Sequence, residues 1–277
     1  MLKQRIITAV LLMAVLLAAL HYLPTPLFQL LLGTAVLIAA WEWSNLSGVA
    51  NYWLRGAYVA ATAAMLALAG VVTGLSSALD LEWLRNLLLV GSLWWALSLL
   101  WVQGYPSSSI LWGAPIARLA IGWLVLVPAW LALCYLRELP GGAWLMLMVV
   151  CVVAGADIGG YFVGRRFGKH KLAPQVSPGK TWEGFWGGLA TNVLWATALG
   201  LWLGEGRLPL LLAIVVPASL VSVLGDLVES MLKRHRGIKD SSQLLPGHGG
   251  VLDRIDSITA AAPVMALGVL MTGFELL

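Results

Sequence analysis

Acidic side chains gather in one short stretch of an otherwise apolar chain. Four polar residues are spaced i, i+3, i+4 and i+7, which puts them on one face of a helix: Asp226, Glu229, Ser230 and Lys233. Asp253 and Asp256, three residues apart, share a face at the start of the next predicted helix. Two helices can therefore direct carboxylate oxygens at one point. Such clusters suit a hard cation such as Mg²⁺, which leaves coordination positions for water and substrate phosphates.

A basic loop joins the two acidic groups. It contains Lys233, Arg234, Arg236 and Lys239. Acids that bind a metal, next to bases that bind phosphate, indicate phosphoryl or nucleotidyl transfer. A basic run alone is also typical of a cytoplasmic loop that contacts anionic lipids, but that alternative does not explain the acids.

Further candidates lie in a glycine-rich segment and in two upstream segments. Residues 246–250 read Pro-Gly-His-Gly-Gly, and these glycines let the backbone approach a ligand; His248 is equally compatible with an ordinary loop histidine. Asp157 lies well inside an apolar run, where it either pairs with a neighbouring helix or lines a polar cavity. Ser177, Lys180 and Thr181 precede a predicted helix, and we expect them to bind a phosphate at its start. The alternative is that they belong to a solvated basic loop.

Membrane-spanning helices must position these residues. The chain has 277 residues, is 60% hydrophobic and only 11% charged. Its apolar runs are about 20 residues long, the length that crosses a bilayer. We expect an all-α polytopic membrane protein of about nine transmembrane helices, separated by breaks rich in Gly and Pro. The predicted helices are 5–23, 27–46, 57–79, 82–102, 117–137, 142–166, 182–204, 208–234 and 251–275.

The distribution of basic residues predicts the orientation. With nine spans, the N-terminus and the loops after helices 2, 4, 6 and 8 share a side, and fourteen of the 17 Lys and Arg lie there. The positive-inside rule makes that side the cytoplasm. Asp80 lies at the junction of helices 3 and 4, so a count of eight spans is an alternative. We expect five scaffold and lipid-facing spans in 1–138, and four catalytic spans in 139–277 with cytoplasmic loops 167–181 and 235–250.

The N-terminal half carries little other chemistry. Glu42 is flanked by Trp41 and Trp43 and is interpreted as an interfacial acid within a belt of aromatic residues. The net charge of +4 is attributed to membrane orientation, and we expect no nucleic-acid partner.

The stretch from Ser230 to Asp256 resembles the signature of the phosphatidate cytidylyltransferases, also called CDP-diacylglycerol synthases. The upstream sequence GADIGGYFVGRRFGKHKLAPQVSPGKTWEG is similar to the same family, so the resemblance covers about residues 145–260. The signature residues present in this chain are Ser230, Lys233-Arg234, Lys239-Asp240, Pro246, His248-Gly249-Gly250, Asp253-Arg254 and Asp256.

The resemblance implies a reaction and a setting. Phosphatidate attacks the α-phosphorus of CTP, giving CDP-diacylglycerol and pyrophosphate, with Mg²⁺ required and a second, monovalent cation such as K⁺ at the same acids. The family implies an integral membrane protein that forms a homodimer among membrane lipids. With the orientation given by the basic residues, we expect the cytoplasmic (inner) membrane, with the active site on the cytoplasmic side.

The resemblance also assigns roles by position. It implies that Asp226, Asp253 and Lys233 are catalytic and that Asp226, Asp253 and Asp256 bind the metal. The implied substrate-binding residues are Ser177, Lys180, Thr181, Ser230, Arg234, Lys239, Asp240, His248 and Asp157.

Other classes of protein account for the pattern less well. An ion-coupled transporter also carries buried acids, but here the polar residues gather at one membrane face and no inverted repeat is visible. A CDP-alcohol phosphotransferase requires D-G-x-x-A-R followed by G-x-x-x-D-x-x-x-D, whereas Gly250, Asp253 and Asp256 are spaced three apart. A CTP-dependent lipid kinase does not account for the full signature.

Overall fold

The structure, a computed structural model, describes residues 2–75, 77–204 and 206–275. Within these ranges the chain forms nine long helices, one single-turn helix and one β-hairpin, so the expected all-α class is confirmed. The elements in chain order are α1 (Leu2–Tyr22), α2 (Thr25–Leu46), α3 (Tyr52–Val72), α4 (Leu81–Gln103), α5 (Ser109–Trp112), α6 (Pro115–Glu138), α7 (Gly142–Phe167), β1 (Lys171–Ala173), β2 (Ser177–Thr181), α8 (Trp182–Leu203), α9 (Arg207–Arg236) and α10 (Leu252–Thr272).

Seven of the described helices are long and apolar enough to cross a membrane: α2, α3, α4, α6, α7, α9 and α10. The protein is therefore an integral membrane protein, and the expected count of about nine spans is approximate. Helix α8 has a similar length but contains three glycines in its first two turns and a buried Asn192.

Polar caps decide where α3 and α4 begin. The Asn51 side chain accepts hydrogen bonds from two backbone N–H groups of the first turn of α3, and Gly74 turns the chain just after its end with a φ of 63°. The predicted range 57–79 is therefore too late at both ends. The Asp80 carboxylate caps α4 in the same way, with two N–H groups at 3.1 Å. The acid that left the junction ambiguous is a cap between two separate helices.

Close packing of α7 and α8 depends on glycine, as its spacing on α7 predicts. A methyl group added at Gly159 would overlap Thr191, and one at Gly155 would overlap Asn192. The fully buried Asn192 amide donates to the Val152 carbonyl at 2.9 Å and to Ser219 Oγ at 2.7 Å. This side chain connects α8 to both α7 and α9.

A β-hairpin occupies a segment that the sequence predicts as loop. Strands β1 and β2 pair antiparallel, with Lys171 opposite Thr181 and Ala173 opposite Ser177. Arg234 Nε donates to the Val176 carbonyl at 3.3 Å and attaches the hairpin to α9. The short strands have no clear alternation of apolar and polar residues, so periodicity carries no signal for them. The hairpin places Lys180 beside α9.

Candidate functional site

Two lysine–aspartate ion pairs lie at the ends of the last helices. Lys180 Nζ, from β2, lies 2.6 Å from Asp226 Oδ2 on α9. Lys233 Nζ, also on α9, lies 2.8 Å from Asp253 Oδ1 on α10. Lys233 and Asp253 are nearly enclosed, with side chains 13% and 4% exposed. Residues from three separate segments that the sequence predicts as functional therefore meet.

Acids outnumber these lysines. The buried Glu229 carboxylate lies 3.3 Å from Lys233 Nζ, an ion pair without hydrogen-bond geometry. Asp157 and Asp256 both interact electrostatically with Lys180 and Asp226. Five carboxyl groups thus accompany two lysines, an excess of three acids, with Arg254 adding one more cation near Asp157. An excess of this kind at a partly buried position is costly unless protons or bound cations offset it.

The backbone brings the two acidic helices close together. Gly225 faces the Asp256 carbonyl and lies where an added methyl would be 3.0 Å from the Ala260 side chain. Because Gly225 has no side chain, α9 and α10 approach at the level of their acids. The predicted i, i+3 faces of the two helices therefore point to the same place.

The Asp253 carboxylate has one oxygen fixed and the other directed at Lys233. Its Oδ2 accepts hydrogen bonds from Gly250 N at 2.7 Å, from Ser241 N at 2.9 Å and from Ser241 Oγ at 2.9 Å. Three donors to one oxygen fix the orientation of the carboxylate and favour its ionised form. Oδ1 is left to face Lys233.

Gly249 and Gly250, in the loop before α10, leave room for carboxylate groups of the protein itself. Gly249 has a φ of 81°, and a side chain there would meet Asp253 Oδ2 at 2.6 Å. A side chain at Gly250 would overlap Ser241 and lie 2.6 Å from both Glu42 oxygens. The sequence predicts that a ligand approaches the backbone at these glycines. Among the described residues, the groups that lie close to them include the side chains of Asp253 and Glu42.

Glu42 is a buried acid next to the site that the sequence does not reveal. It is 2% exposed, so its interpretation as an interfacial acid in an aromatic belt is wrong. Its carboxylate accepts hydrogen bonds from Leu252 N at 2.7 Å and Val251 N at 3.1 Å at the start of α10. Ser242 Oγ donates to it at 2.6 Å and Ser241 Oγ at 3.2 Å. These partners lie about 200 residues along the chain, so no local pattern connects them.

Other predicted site residues lie around this centre in structural roles. Ser230 Oγ donates to Asp226 Oδ1 at 3.0 Å. Thr181 is buried, and its hydroxyl accepts from Gly184 N at 3.1 Å as the N-cap of α8. Arg234 attaches the hairpin, and the half-buried Ser177 begins β2. Thr181 also lines a cavity beside Lys180, so its phosphate contact stays a prediction.

Two cavities flank the ion pairs. The larger, of about 630 Å³, is lined by the remaining predicted residues Lys239, Asp240 and His248, together with Arg254. His248 Nδ1 is buried and has no hydrogen-bond partner among the described residues. The smaller cavity, of about 350 Å³, is lined by Asp157 and Lys180 and by side chains of α7 and α8. The predicted substrate-binding set is thus divided between two spaces.

A metal ion is compatible with the chemistry of these side chains. Within the described ranges, no three His, Cys, Asp or Glu side chains are arranged to hold an ion. Lys180 and Lys233 pair with two of the aspartates. The donors are nonetheless all carboxylate oxygens with a net excess of negative charge, the kind of set that Mg²⁺ prefers.

Comparison with known proteins shows the family of the chain. The model of the cytidylyltransferase family matches residues 3–272. The chain belongs to this family. It is 47% identical over 268 residues to the phosphatidate cytidylyltransferase of Pseudomonas aeruginosa, covering 96% of each chain. It is 40% identical over 278 residues to that of Haemophilus influenzae, covering 95% of this chain and 96% of the relative. The family resemblance drawn from residues 145–260 is confirmed, and the cytidylyltransferase match extends it to the N-terminal helices.

Proposed function

We propose that this protein transfers the cytidylyl group of CTP to phosphatidate, giving CDP-diacylglycerol and pyrophosphate in phospholipid biosynthesis. The supporting observation is the meeting of the Lys180–Asp226 and Lys233–Asp253 pairs at the ends of apolar helices. Relatives that share nearly the whole chain are named phosphatidate cytidylyltransferases. The family match gives no support to an ion-coupled transporter.

The reaction needs positive charge more than it needs a base. An oxygen of the phosphatidate phosphate attacks the α-phosphorus of CTP, and the bond from the α-phosphorus to the bridging oxygen breaks, so that pyrophosphate leaves. The attacking phosphate is already ionised at neutral pH, so no proton must be removed from it. Two anions must instead approach each other, and Lys180 and Lys233 reduce their repulsion and stabilise the charge on the departing pyrophosphate.

Mg²⁺ would be held by Asp226, Asp253 and Asp256, with a monovalent cation such as K⁺ as a second ion at the same acids. When bound, the metal would neutralise phosphate charge. The excess of three acids over lysines in the site supports this assignment. The lysines hold the aspartates in place, and phosphate oxygens offer these lysines alternative anionic partners.

The two cavities suggest separate places for the two substrates. We assign CTP to the larger cavity, whose lining is mostly polar loop and includes Lys239, His248 and Arg254. We assign the lipid phosphate to the smaller cavity beside Lys180 and Arg165. Exposed aromatic side chains surround that smaller cavity on α7 and α8, as expected for a face open to lipid: Tyr161, Phe162, Trp182 and Trp186.

The setting follows from the distribution of charge. Positive residues gather on the side of the chain that carries the site, which supports a location at the cytoplasmic face of the inner membrane, among its lipids. A homodimer is proposed from the family resemblance alone.

A direct assay tests the function. Purified protein in detergent is incubated with CTP, phosphatidate and Mg²⁺, with and without K⁺, and the lipid extract is examined for CDP-diacylglycerol. We expect a CDP-lipid that requires all three components and is absent when diacylglycerol replaces phosphatidate. No CDP-lipid under any of these conditions, or nucleotide-independent ion flux in proteoliposomes, would overturn the proposal.

A further inference from the structure

Glu42 connects the N-terminal half of the chain to the site. It lies on α2, yet all four donors to its carboxylate come from residues 241–252. Two of these donors are the backbone N–H groups of Val251 and Leu252 at the N-terminal end of α10, where the helix dipole favours a negative charge. A carboxylate that is 2% exposed and faces four donors, one of them shared with Asp253, holds its partners in one arrangement.

Ser241 connects Glu42 to Asp253. Its Oγ lies 3.2 Å from Glu42 Oε2 and 2.9 Å from Asp253 Oδ2. A hydroxyl has a single hydrogen, so it donates to one carboxylate at a time. The backbone N–H of Ser241 donates to Asp253 Oδ2 in either case. A change at Glu42 therefore alters the position and the bonding of the residue that fixes Asp253.

We propose that Glu42 is a positioning residue for nucleotidyl transfer. It holds Ser241, Ser242 and the start of α10 so that Asp253 keeps Oδ2 against the backbone and presents Oδ1 to Lys233. This role rests on the proposed function, because its consequence is the geometry of the Lys233–Asp253 pair. Gly250 allows Ser241 and Glu42 to lie this close, since a methyl group at Gly250 would collide with both.

A double-mutant cycle tests the connection. Glu42→Gln keeps the shape of the side chain but turns an NH₂ group towards hydrogen-bond donors, and Ser241→Ala removes the shared hydroxyl while leaving three donors to Glu42. A misplacement of about 1 Å at a reacting group costs about 100-fold in rate, so we expect Glu42→Gln to lower kcat by about 10- to 100-fold. In the Ser241→Ala background, the further effect of Glu42→Gln is expected to be smaller than in the wild-type protein, because interacting residues are not additive, and the three remaining donors account for the part that persists.

A matched control separates positioning from general stability. Glu138 accepts a hydrogen bond from Gln29 of α2 at 2.8 Å, and Gln29 lies 13 residues before Glu42, about 20 Å along the helix. Glu138→Gln is expected to keep wild-type kcat. Both Gln variants are compared at equal folded concentration by size-exclusion chromatography and thermal unfolding, and Glu42→Asp is expected to recover part of the lost kcat.

Two results would overturn the role of Glu42. One is an equal effect of Glu42→Gln in the wild-type and Ser241→Ala backgrounds. The other is a loss of activity that matches the loss of folded protein, with unchanged kcat per folded molecule. Hydrogen exchange over residues 241–252 gives a measurement independent of activity. Faster exchange there in Glu42→Gln, but not in Glu138→Gln, is expected even if the wild-type protein makes no CDP-lipid. Unchanged exchange would also reject the role.

Discussion

Replacement of Asp253 by asparagine perturbs the centre of the site with almost no change in shape. The carboxylate accepts from three donors at Oδ2 and faces the Lys233 ammonium at Oδ1. An amide has one NH₂ group, and in either orientation that group opposes a donor. The less costly orientation keeps the carbonyl towards Ser241 and Gly250, so that the NH₂ group faces Lys233.

The magnitude follows from the burial of this pair. Because both side chains are nearly enclosed, screening by solvent is weak. Asp253 orients Lys233, and the loss of one fixed interaction that stabilises transition-state charge costs about 2.7 to 4 kcal/mol. At 1.36 kcal/mol per tenfold change in rate, a loss of about 3 kcal/mol from the transition state is about 100-fold, before any loss of metal binding is added.

The assay is CTP-dependent formation of CDP-diacylglycerol by the purified variant in detergent, with Glu82→Gln as a control acid at the start of α4. We expect product from Asp253→Asn below about 1% of the wild-type level, with normal insertion into the membrane fraction. Retention of more than about a tenth of the activity would show that Asp253 neither binds the metal nor orients Lys233.

Three further predictions concern the neighbours of this pair. Lys180→Met removes a cation that stabilises the charge of the departing pyrophosphate, and kcat/KM is expected to fall by about 100-fold or more; a change below threefold in steady-state kinetics would contradict this. Gly250→Ala places a methyl group against the side chains behind it and is expected to cost about 1 to 3 kcal/mol in the free energy of unfolding. Gly56→Ala, where an added methyl meets nothing within 4 Å, is the control, and equal unfolding temperatures for the two variants would count against the packing described. Lys239→Ala is expected to raise KM for CTP, and Arg165→Ala to raise KM for phosphatidate, each by about tenfold for the loss of about one charged contact; the reverse pattern would exchange the two cavities.

The helices and the shared acidic faces could be predicted because their signals are local. Runs of about 20 apolar residues mark spans. The spacing of Asp226, Glu229 and Lys233 defines a helix face without knowledge of any partner, and the structure places all three at the site. The glycines of α7 likewise predict close packing before the neighbouring helix is known.

The remaining features depend on contacts between distant parts of the chain. The flanking Trp residues of Glu42 are typical of a membrane interface, whereas its actual partners are residues 241–252. The pairing of Lys180 with Asp226 depends on a hairpin whose short strands have no apolar alternation. The use of the Thr181 hydroxyl as a helix cap depends on where α8 begins, which a local pattern does not fix.

The central claim is that the cytidylyl group, and not a terminal phosphoryl group, is transferred to the lipid. Parallel reactions with CTP labelled at the α-phosphorus and at the γ-phosphorus test it most directly, with phosphatidate and Mg²⁺ present in both. We expect label in the lipid fraction only from α-labelled CTP, and labelled pyrophosphate from γ-labelled CTP. Lipid label from the γ-phosphorus, or from neither position, would contradict the account.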